Sequence, residues 1–210
     1  MKEYMFLFED KAKEKGYQLI AGMDEAGRGP LAGPVFTAMV IMPLNSESII
    51  NGINDSKQLS PQKREKLYDE ILSTALAYAI CPVDENTIDK MNILEATKYG
   101  MQKCLQSISI RPDYCLVDYV SKLNLDIPFE TIVKGDAKSY NIACASILAK
   151  VARDRYMLNV AKEYPEYCFD KHKGYGTKLH YEMIKKYGVS AVHRKSFLKN
   201  LEEHIGTNKE

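Results

Sequence analysis

A chain of 210 residues with 45% hydrophobic and 27% charged side chains has the material for one sizeable core, and no window is apolar for long enough to span a bilayer. The net charge of +1 excludes a uniformly basic or acidic protein but conceals an uneven chain: Lys134 to Asn200 carries fourteen Lys/Arg against six Asp/Glu, and the remainder fifteen against twenty-two. Five cysteines (Cys81, Cys104, Cys115, Cys144, Cys168), odd in number and without a CxxC pair, exclude a disulfide framework and a thiolate zinc site. They read as reduced, mostly buried thiols.

Glu3 to Lys15 reads as a short amphipathic helix stopped by Gly16. The apolar run near Met5 is too short for a signal peptide and meets acids at once, so the expected location is cytoplasmic. Gln18 to Met23 predicts a strand ending at Asp24 and Glu25. Val35 to Met42 predicts a second strand, joined to the first as a hairpin and bounded by Pro34 and Pro43. Asn51 to Ser60 is a loop. Ser60 and Pro61 then supply the N-cap and first position of a helix to about Ala75. Ala77 to Val83 is a third strand, Asp84 to Lys90 a helical turn, and Ile93 to Ile108 a helix with small and apolar residues at helical spacing.

Tyr114 to Asp118 and Phe129 to Asp136 predict two further strands, each delivering a carboxylate at its end as the first does. Lys138 to about Lys162 is a long helix in which Ala143, Ser146 and Ala149 permit close packing on a sheet. A glycine loop at Gly174 and Gly176 leads into a helix from Lys178 to Lys186, and His193 to Ile205 is expected to be helical. Together these elements predict an α/β fold, a mixed central β-sheet flanked by helices, as a single domain over 1–210 with a helical C-terminal portion from about residue 165.

The chemistry concentrates where apolar strands end in acids. A buried carboxylate must be hydrated, paired or bound to a cation. Asp24, Glu25, Asp118 and Asp136 have no histidine or thiolate companion, and hard oxygen donors select Mg²⁺ or Mn²⁺ over zinc. Gly27, Gly29 and Gly33 remove side chains where the backbone approaches a ligand, and Arg28 offers a donor fork suited to phosphate. Lys57, Lys134, Lys173 and Arg194 are candidate phosphate contacts, consistent with a basic C-terminal third that suits a polyanion. His172 and His193 are read as hydrogen-bonding or phosphate-contact groups, not as catalytic ones. Tyr175, one of fourteen tyrosines, is on these grounds either a packing aromatic or a recognition residue.

Six segments in order carry a resemblance: Gly22-Met23-Asp24-Glu25-Ala26-Gly27-Arg28-Gly29-Pro30 with Gly33-Pro34; Asn54-Asp55-Ser56-Lys57-Gln58-Leu59-Ser60; Leu116-Val117-Asp118; Lys134-Gly135-Asp136-Ala137 with Ile142 to Arg155; His172-Lys173-Gly174-Tyr175-Gly176-Thr177; and His193-Arg194-Lys195-Ser196-Phe197. They resemble the signature blocks of ribonuclease HII, from about Leu19 to Phe197. The resemblance implies a ribonuclease H-like fold and a metal-dependent endoribonuclease that cuts the RNA strand of RNA/DNA hybrids and the 5′ side of ribonucleotides embedded in duplex DNA, leaving 3′-hydroxyl and 5′-phosphate ends. It makes Asp24, Glu25, Asp118 and Asp136 the catalytic acids holding Mn²⁺ or Mg²⁺, two ions with substrate bound.

It also makes the Gly27-Arg28-Gly29 turn, together with Tyr175, the reader of the 2′-hydroxyl at an RNA-to-DNA junction. Gly135, where alanine is frequent, and Cys144, which replaces a common alanine, depart from the pattern without touching the acids. The related ribonuclease HIII group has an additional N-terminal domain and lacks the Gly-Arg-Gly turn, so type II is the better match. A monomer acting on nucleic acid, with no membrane and no identified protein partner, is the expectation. The alternatives are a non-catalytic RNA/DNA-hybrid binding module and a structure-selective DNA nuclease or junction resolvase of the same fold.

Overall fold

The computed structural model describes residues 3–199 and 201. A single-turn 3₁₀ helix at Glu3–Phe6 leads into α1 (Leu7–Glu14), so the first expected helix forms with a tightened start. β1 (Ile20–Ala26) and β2 (Val35–Ile41) are antiparallel neighbours. α2 (Pro61–Thr74) begins where Ser60 Oγ accepts from the Lys63 N–H at 3.3 Å. β3 (Ala77–Val83) adds antiparallel to β2, and α3 (Glu85–Met91) and α4 (Ile93–Ser107) follow. β4 (Tyr114–Asp118) lies parallel to β1, and β5 (Phe129–Ile132) parallel to β4. The sheet is therefore mixed, in the order β3-β2-β1-β4-β5.

α5 (Tyr140–Glu163) crosses one face of this sheet and α4 the other. Alternation in β2 separates the two cores: Ala38 and Val40 pack with α2 and α5, while Met39 and Ile41 pack with α4. α5 approaches β1 closely because Gly22 has no side chain. A Cβ there would lie 2.0 Å from the Asn141 carbonyl carbon and 2.4 Å from the Ile142 nitrogen. The Asn141 amide uses that approach, donating to Ile20 O at 3.2 Å and accepting from Met42 N at 3.1 Å. Gly22→Ala is expected to cost about 3 kcal/mol or more, read as a fall of roughly 10 °C in the thermal midpoint, because backbone rather than a mobile side chain must move. An unchanged midpoint would show that α5 can retreat without cost.

A third apolar cluster, built on Leu31, Ala32, Met157, Val160, Tyr167, Phe169 and Ile184, joins the far end of α5 to α6 (Phe169–His172) and α7 (Lys178–Tyr187). The segment between β1 and β2 belongs to this layer. Leu31 N donates to Gly174 O at 2.8 Å, Gly33 N to Val192 O at 2.9 Å, Arg194 N to Leu31 O at 2.8 Å, and Ala32 bridges His193. The hairpin is thus formed by its strands, but its connection is a loop seated on the C-terminal region.

Three boundaries differ from expectation. β1 continues through Asp24 and Glu25, which pair in register with Ala38 and Thr37. β5 stops at Ile132, and Asp136 stands on a 3₁₀ turn at Gly135–Ala137, because Lys134 turns left-handed (φ 57°) and breaks the strand. The segment 193–199 shows one 3₁₀ turn at Lys195–Phe197 in place of the start of the expected helix, the bridge to Ala32 holding His193 extended, whereas Leu201 is helical. The remainder of that expectation, at 200 and 202–205, lies outside the described residues.

Candidate active site

The sheet topology brings Asp24, Glu25, Asp118 and Asp136 into one field. β1 and β4 are parallel neighbours, so their C-terminal ends lie side by side, and the turn after β5 supplies Asp136. Asp118 Oδ1 accepts from Gly135 N at 2.7 Å, which ties that turn to the end of β4. Asp24 is buried beneath α5, and its Oδ1 accepts from Glu25 N at 2.7 Å.

Electrostatics make this a costly arrangement. Burial, then the charges of Glu25 and Asp118, push the Asp24 carboxyl well above the ordinary carboxylate range. Burial, with Asp118 adding, raises Glu25 to about 7 although Arg28 and Lys57 pull it down. Burial and then the Asp55 and Asp118 charges raise Asp136, against Lys57, whose Nζ lies 3.7 Å from Asp136 Oδ2. Glu25 Oε2 is buried without a hydrogen-bond partner, while Oε1 meets Arg28 Nη1 at 3.4 Å.

Among the described residues no three His, Cys, Asp or Glu side chains converge as a finished ion cage. The donor set nevertheless fits a hard divalent cation. It is all oxygen, it includes an unpartnered buried carboxylate oxygen, and its mutual repulsion is what a cation relieves.

Of the four acids, Glu25 lines an open cleft of about 580 Å³, together with Gly27, Arg28, Lys57, Lys150 and Tyr175 among others. Arg64, Lys150 and Tyr175 continue into an adjoining groove that reaches Lys171 and Lys173. Tyr175 is 42% exposed, with the Arg153 guanidinium 5.6 Å and Lys150 Nζ 5.9 Å from its ring centre. Lys57 and Lys134 are exposed, and Lys173 is half-buried with its ammonium on Asp170 O.

Gly29 shows why its position matters. A Cβ there meets nothing within 4 Å, so the fold does not demand glycine, and the open space faces outward. Gly27 is different. It needs a left-handed φ of 96°, and a Cβ would strike the Arg153 side chain at 2.0 Å.

Arg194 is not a phosphate contact. It is fully buried, donating from Nε to Gly33 O at 2.8 Å, from Nη1 to Arg28 O at 3.0 Å and from Nη2 to Gly27 O at 2.7 Å. Arg153 adds bonds to Pro34 O and Ala32 O, each at 3.1 Å. Two buried guanidiniums therefore hold the carbonyls at both ends of the 27–34 loop, those of Gly27 and Arg28 and those of Ala32, Gly33 and Pro34. His172 and His193 are also buried and lie behind the Tyr175 turn.

Sequence reasoning missed Lys150, Arg64, Ser146 and Ser56. Ser56 Oγ and Ser146 Oγ are 2.8 Å apart at the cleft floor, and Arg64 Nη1 holds Ser56 O at 2.8 Å and Leu59 O at 2.6 Å. The available signal was the pair Ser146 and Lys150, one helical turn apart on the otherwise apolar stretch of α5 from Ile142 to Ala152.

Comparison with known proteins places this geometry. Ribonuclease H2 from Pyrococcus horikoshii OT3 superposes with a TM-score of 0.76 at 27% identity, covering 91% of this chain and 100% of that one. Ribonuclease HII of Archaeoglobus fulgidus, solved in complex with PCNA, gives 0.71 at 25% identity over 85% and 94% of the two chains. A mixed sheet of this order with acids at its parallel centre is thus the ribonuclease H-like fold, and the class is that of endoribonucleases. The family model for ribonuclease HII matches residues 21–200, and a ribonuclease HII of Caldicellulosiruptor bescii is 52% identical over 199 residues, 95% of this chain and 96% of that protein. The chain belongs to the ribonuclease HII family, metal-dependent endoribonucleases that act on RNA/DNA hybrids. Neither a non-catalytic module nor a DNA-only nuclease is favoured.

Proposed function

We propose that the chain cuts the RNA strand of RNA/DNA hybrids and the 5′ side of a ribonucleotide embedded in duplex DNA, leaving 3′-hydroxyl and 5′-phosphate ends. The observation that carries this reading is the meeting on one cleft of Glu25, from an over-charged carboxylate cluster, with Gly27 and Arg28 of the glycine turn and the exposed Tyr175. Asp24, Glu25, Asp118 and Asp136 would hold divalent cations, Mg²⁺ or Mn²⁺ and two of them with substrate bound. When bound, such ions supply Lewis acidity toward the scissile phosphate and the attacking water.

The chain's own residues do the rest. Lys57, Lys134 and Lys173 present exposed or half-exposed ammonium groups that position phosphates without reading bases. Arg28 stands beside Glu25 and faces the same cleft, where its guanidinium balances the cluster and offers donors to the backbone of the substrate. The Gly27-Arg28-Gly29 backbone and Tyr175 read the 2′-hydroxyl, the group that separates RNA from DNA. Because Tyr175 lies on the same cleft as Glu25, the sugar read and the bond cut belong to neighbouring nucleotides.

No helix among the described residues is long and apolar enough to cross a membrane. The reading is of a monomer working on nucleic acid in the cytoplasm. Duplexes identical except for one ribonucleotide test it, each with Mg²⁺ or Mn²⁺ supplied in turn. Cleavage beside the ribonucleotide alone is the expected result, and equal cutting of the all-DNA duplex overturns it. Tyr175→Ala is expected to lower kcat/KM on the embedded ribonucleotide by about 100-fold while plain-duplex binding changes little, as loss of an orienting contact does. Equal losses in both assays would remove Tyr175 from recognition.

A further inference from the structure

Behind the Tyr175 turn, three imidazoles pack around the fully buried Phe169 ring, with ring-centre distances of 5.7 Å to His172, 5.4 Å to His180 and 5.8 Å to His193. His172 and His180 are themselves stacked at 4.3 Å. The hydrogen bonds determine where each proton resides. Ser190 N–H donates to His193 Nδ1 at 3.0 Å, so that nitrogen presents a lone pair and the proton is on Nε2. The Tyr175 carbonyl can only accept, so His180 Nδ1, 3.0 Å away, carries the proton and its Nε2 the lone pair. His193 Nε2 and His180 Nε2 then meet at 3.0 Å as donor and acceptor.

The two ends of the chain of bonds are assigned independently and agree in the middle. His172 is ordered in the same manner, its Nδ1 accepting from Gly174 N at 3.2 Å and its Nε2 donating to Tyr167 O at 2.9 Å. A second proton on any ring would break one of these bonds. Burial pushes all three rings below the ordinary imidazole range, His180 to about 3 with His172 beside it adding, and His193 to about 4. Asp170 and Lys173 are the charged side chains that act on His172, and Tyr167 stands edge-on to His193 at 5.2 Å.

This chain of bonds connects two parts of the sugar-reading apparatus. At one end Ser190 and His193 belong to the segment that bridges Ala32, in the loop that follows Gly27-Arg28-Gly29. At the other end is the carbonyl of Tyr175, which also accepts from Thr177 N at 2.8 Å. We propose that this proton-ordered relay sets the Tyr175 ring against the Gly27-Arg28-Gly29 turn, which makes His180 and His193 positioning residues for ribonucleotide recognition. The inference rests on the assignment of Tyr175 to reading the sugar.

The test compares kcat/KM on one embedded ribonucleotide with that on a long uniform hybrid. His180→Phe keeps the ring and removes both bonds, and is expected to cost about tenfold more on the embedded ribonucleotide than on the hybrid. His180→Asn, whose amide can still donate to the Tyr175 carbonyl but has no atom to meet His193 Nε2, is expected to recover only part of that difference. In a Tyr175→Ala background, His180→Phe is expected to add nothing.

Equal slowing of both substrates, or full additivity with Tyr175→Ala, overturns the relay. If Tyr175→Ala leaves the substrate preference intact, the assignment of Tyr175 fails and the relay's role with it. If Tyr175→Ala abolishes the preference and His180→Phe does not, the relay alone falls. Ring ¹⁵N shifts of the unmodified protein at about pH 5.5 provide a readout independent of variant folding, where free imidazoles are charged. Neutral Nδ1–H for His180 and neutral Nε2–H for His172 and His193 are expected, and the opposite tautomer or a charged ring at that pH overturns the proposal.

Discussion

Asp118→Asn is expected to reduce cleavage at an embedded ribonucleotide by about 10³-fold or more while duplex binding is retained and the metal-free fold becomes no less stable. Asp118 is the position whose charge is felt by Asp24, Glu25 and Asp136 alike. Asparagine keeps the oxygen that accepts from Gly135 N at 2.7 Å, so the turn carrying Asp136 stays in place. The direction of the stability effect follows from proton linkage. Glu25 binds its proton more tightly in the folded chain, at about 7 against 4.5, so folding is favoured by protonation and weakens as pH rises between those values. For Glu25 alone that is on the order of 3 kcal/mol lost by pH 8 in the absence of cations. Removing the Asp118 charge lowers its neighbours' values and reduces this loss. Thermal unfolding at pH 5 and pH 8, with and without Mg²⁺, checks it. Mg²⁺ should raise the midpoint of the parent more at pH 8 than at pH 5, and by less in the variant. A variant that cleaves at parental rate, or a parent most stable at pH 8 without cations, contradicts the assignment of these acids.

What was legible in the sequence was local. An apolar run closed by Asp24 and Glu25 and followed by glycines announces a strand entering a site, and the parallel pairing of β1 with β4 then places Asp118 beside it. The end of β5 was less legible, because the left-handed Lys134 that turns the chain toward Asp136 has a residue type that says nothing of such a conformation. Arg194 was misread for a different reason. An arginine in a basic stretch gives no local sign of burial, and only the packed loop reveals how many carbonyls need a donor. The companion signal was the loop itself, since Gly27 to Pro34 has no regular partner strand for its carbonyls. Lys150 escaped notice because α5 is apolar on nearly all sides from Ile142 to Ala152, so its polar stripe of Ser146 and Lys150 toward the cleft is narrow.

The burial of Arg194 separates its role from that of the exposed cations by a measurable criterion. A lysine that contacts phosphate releases a counterion, so removing it lowers the salt dependence of duplex binding by about one unit of slope. Lys57→Ala, Lys134→Ala or Lys173→Ala should show that change, and Arg194→Met should not. Arg194→Met instead leaves the Gly27, Arg28 and Gly33 carbonyls without their donors, three groups at 2.7–3.0 Å from one guanidinium. Orphaned buried acceptors bring the expected loss to about 3–5 kcal/mol of stability. One effect opposes it: burial and the neighbouring Arg153 charge depress the Arg194 guanidinium to about 9, so its removal relieves a like-charge contact. The relief is smaller than the loss, because Glu85 already acts on both guanidiniums as a counter-charge. Arg194→Lys, with one donor head in place of a fork, should fall between. Assayed well below its unfolding temperature, Arg194→Met is expected to lose about 100-fold in kcat/KM on the embedded ribonucleotide, since the sugar-reading role proposed for the Gly27-Arg28-Gly29 turn requires its placement to within an ångström. A changed salt slope with an unchanged melting midpoint would instead mean that Arg194 reaches the surface and meets the phosphate directly.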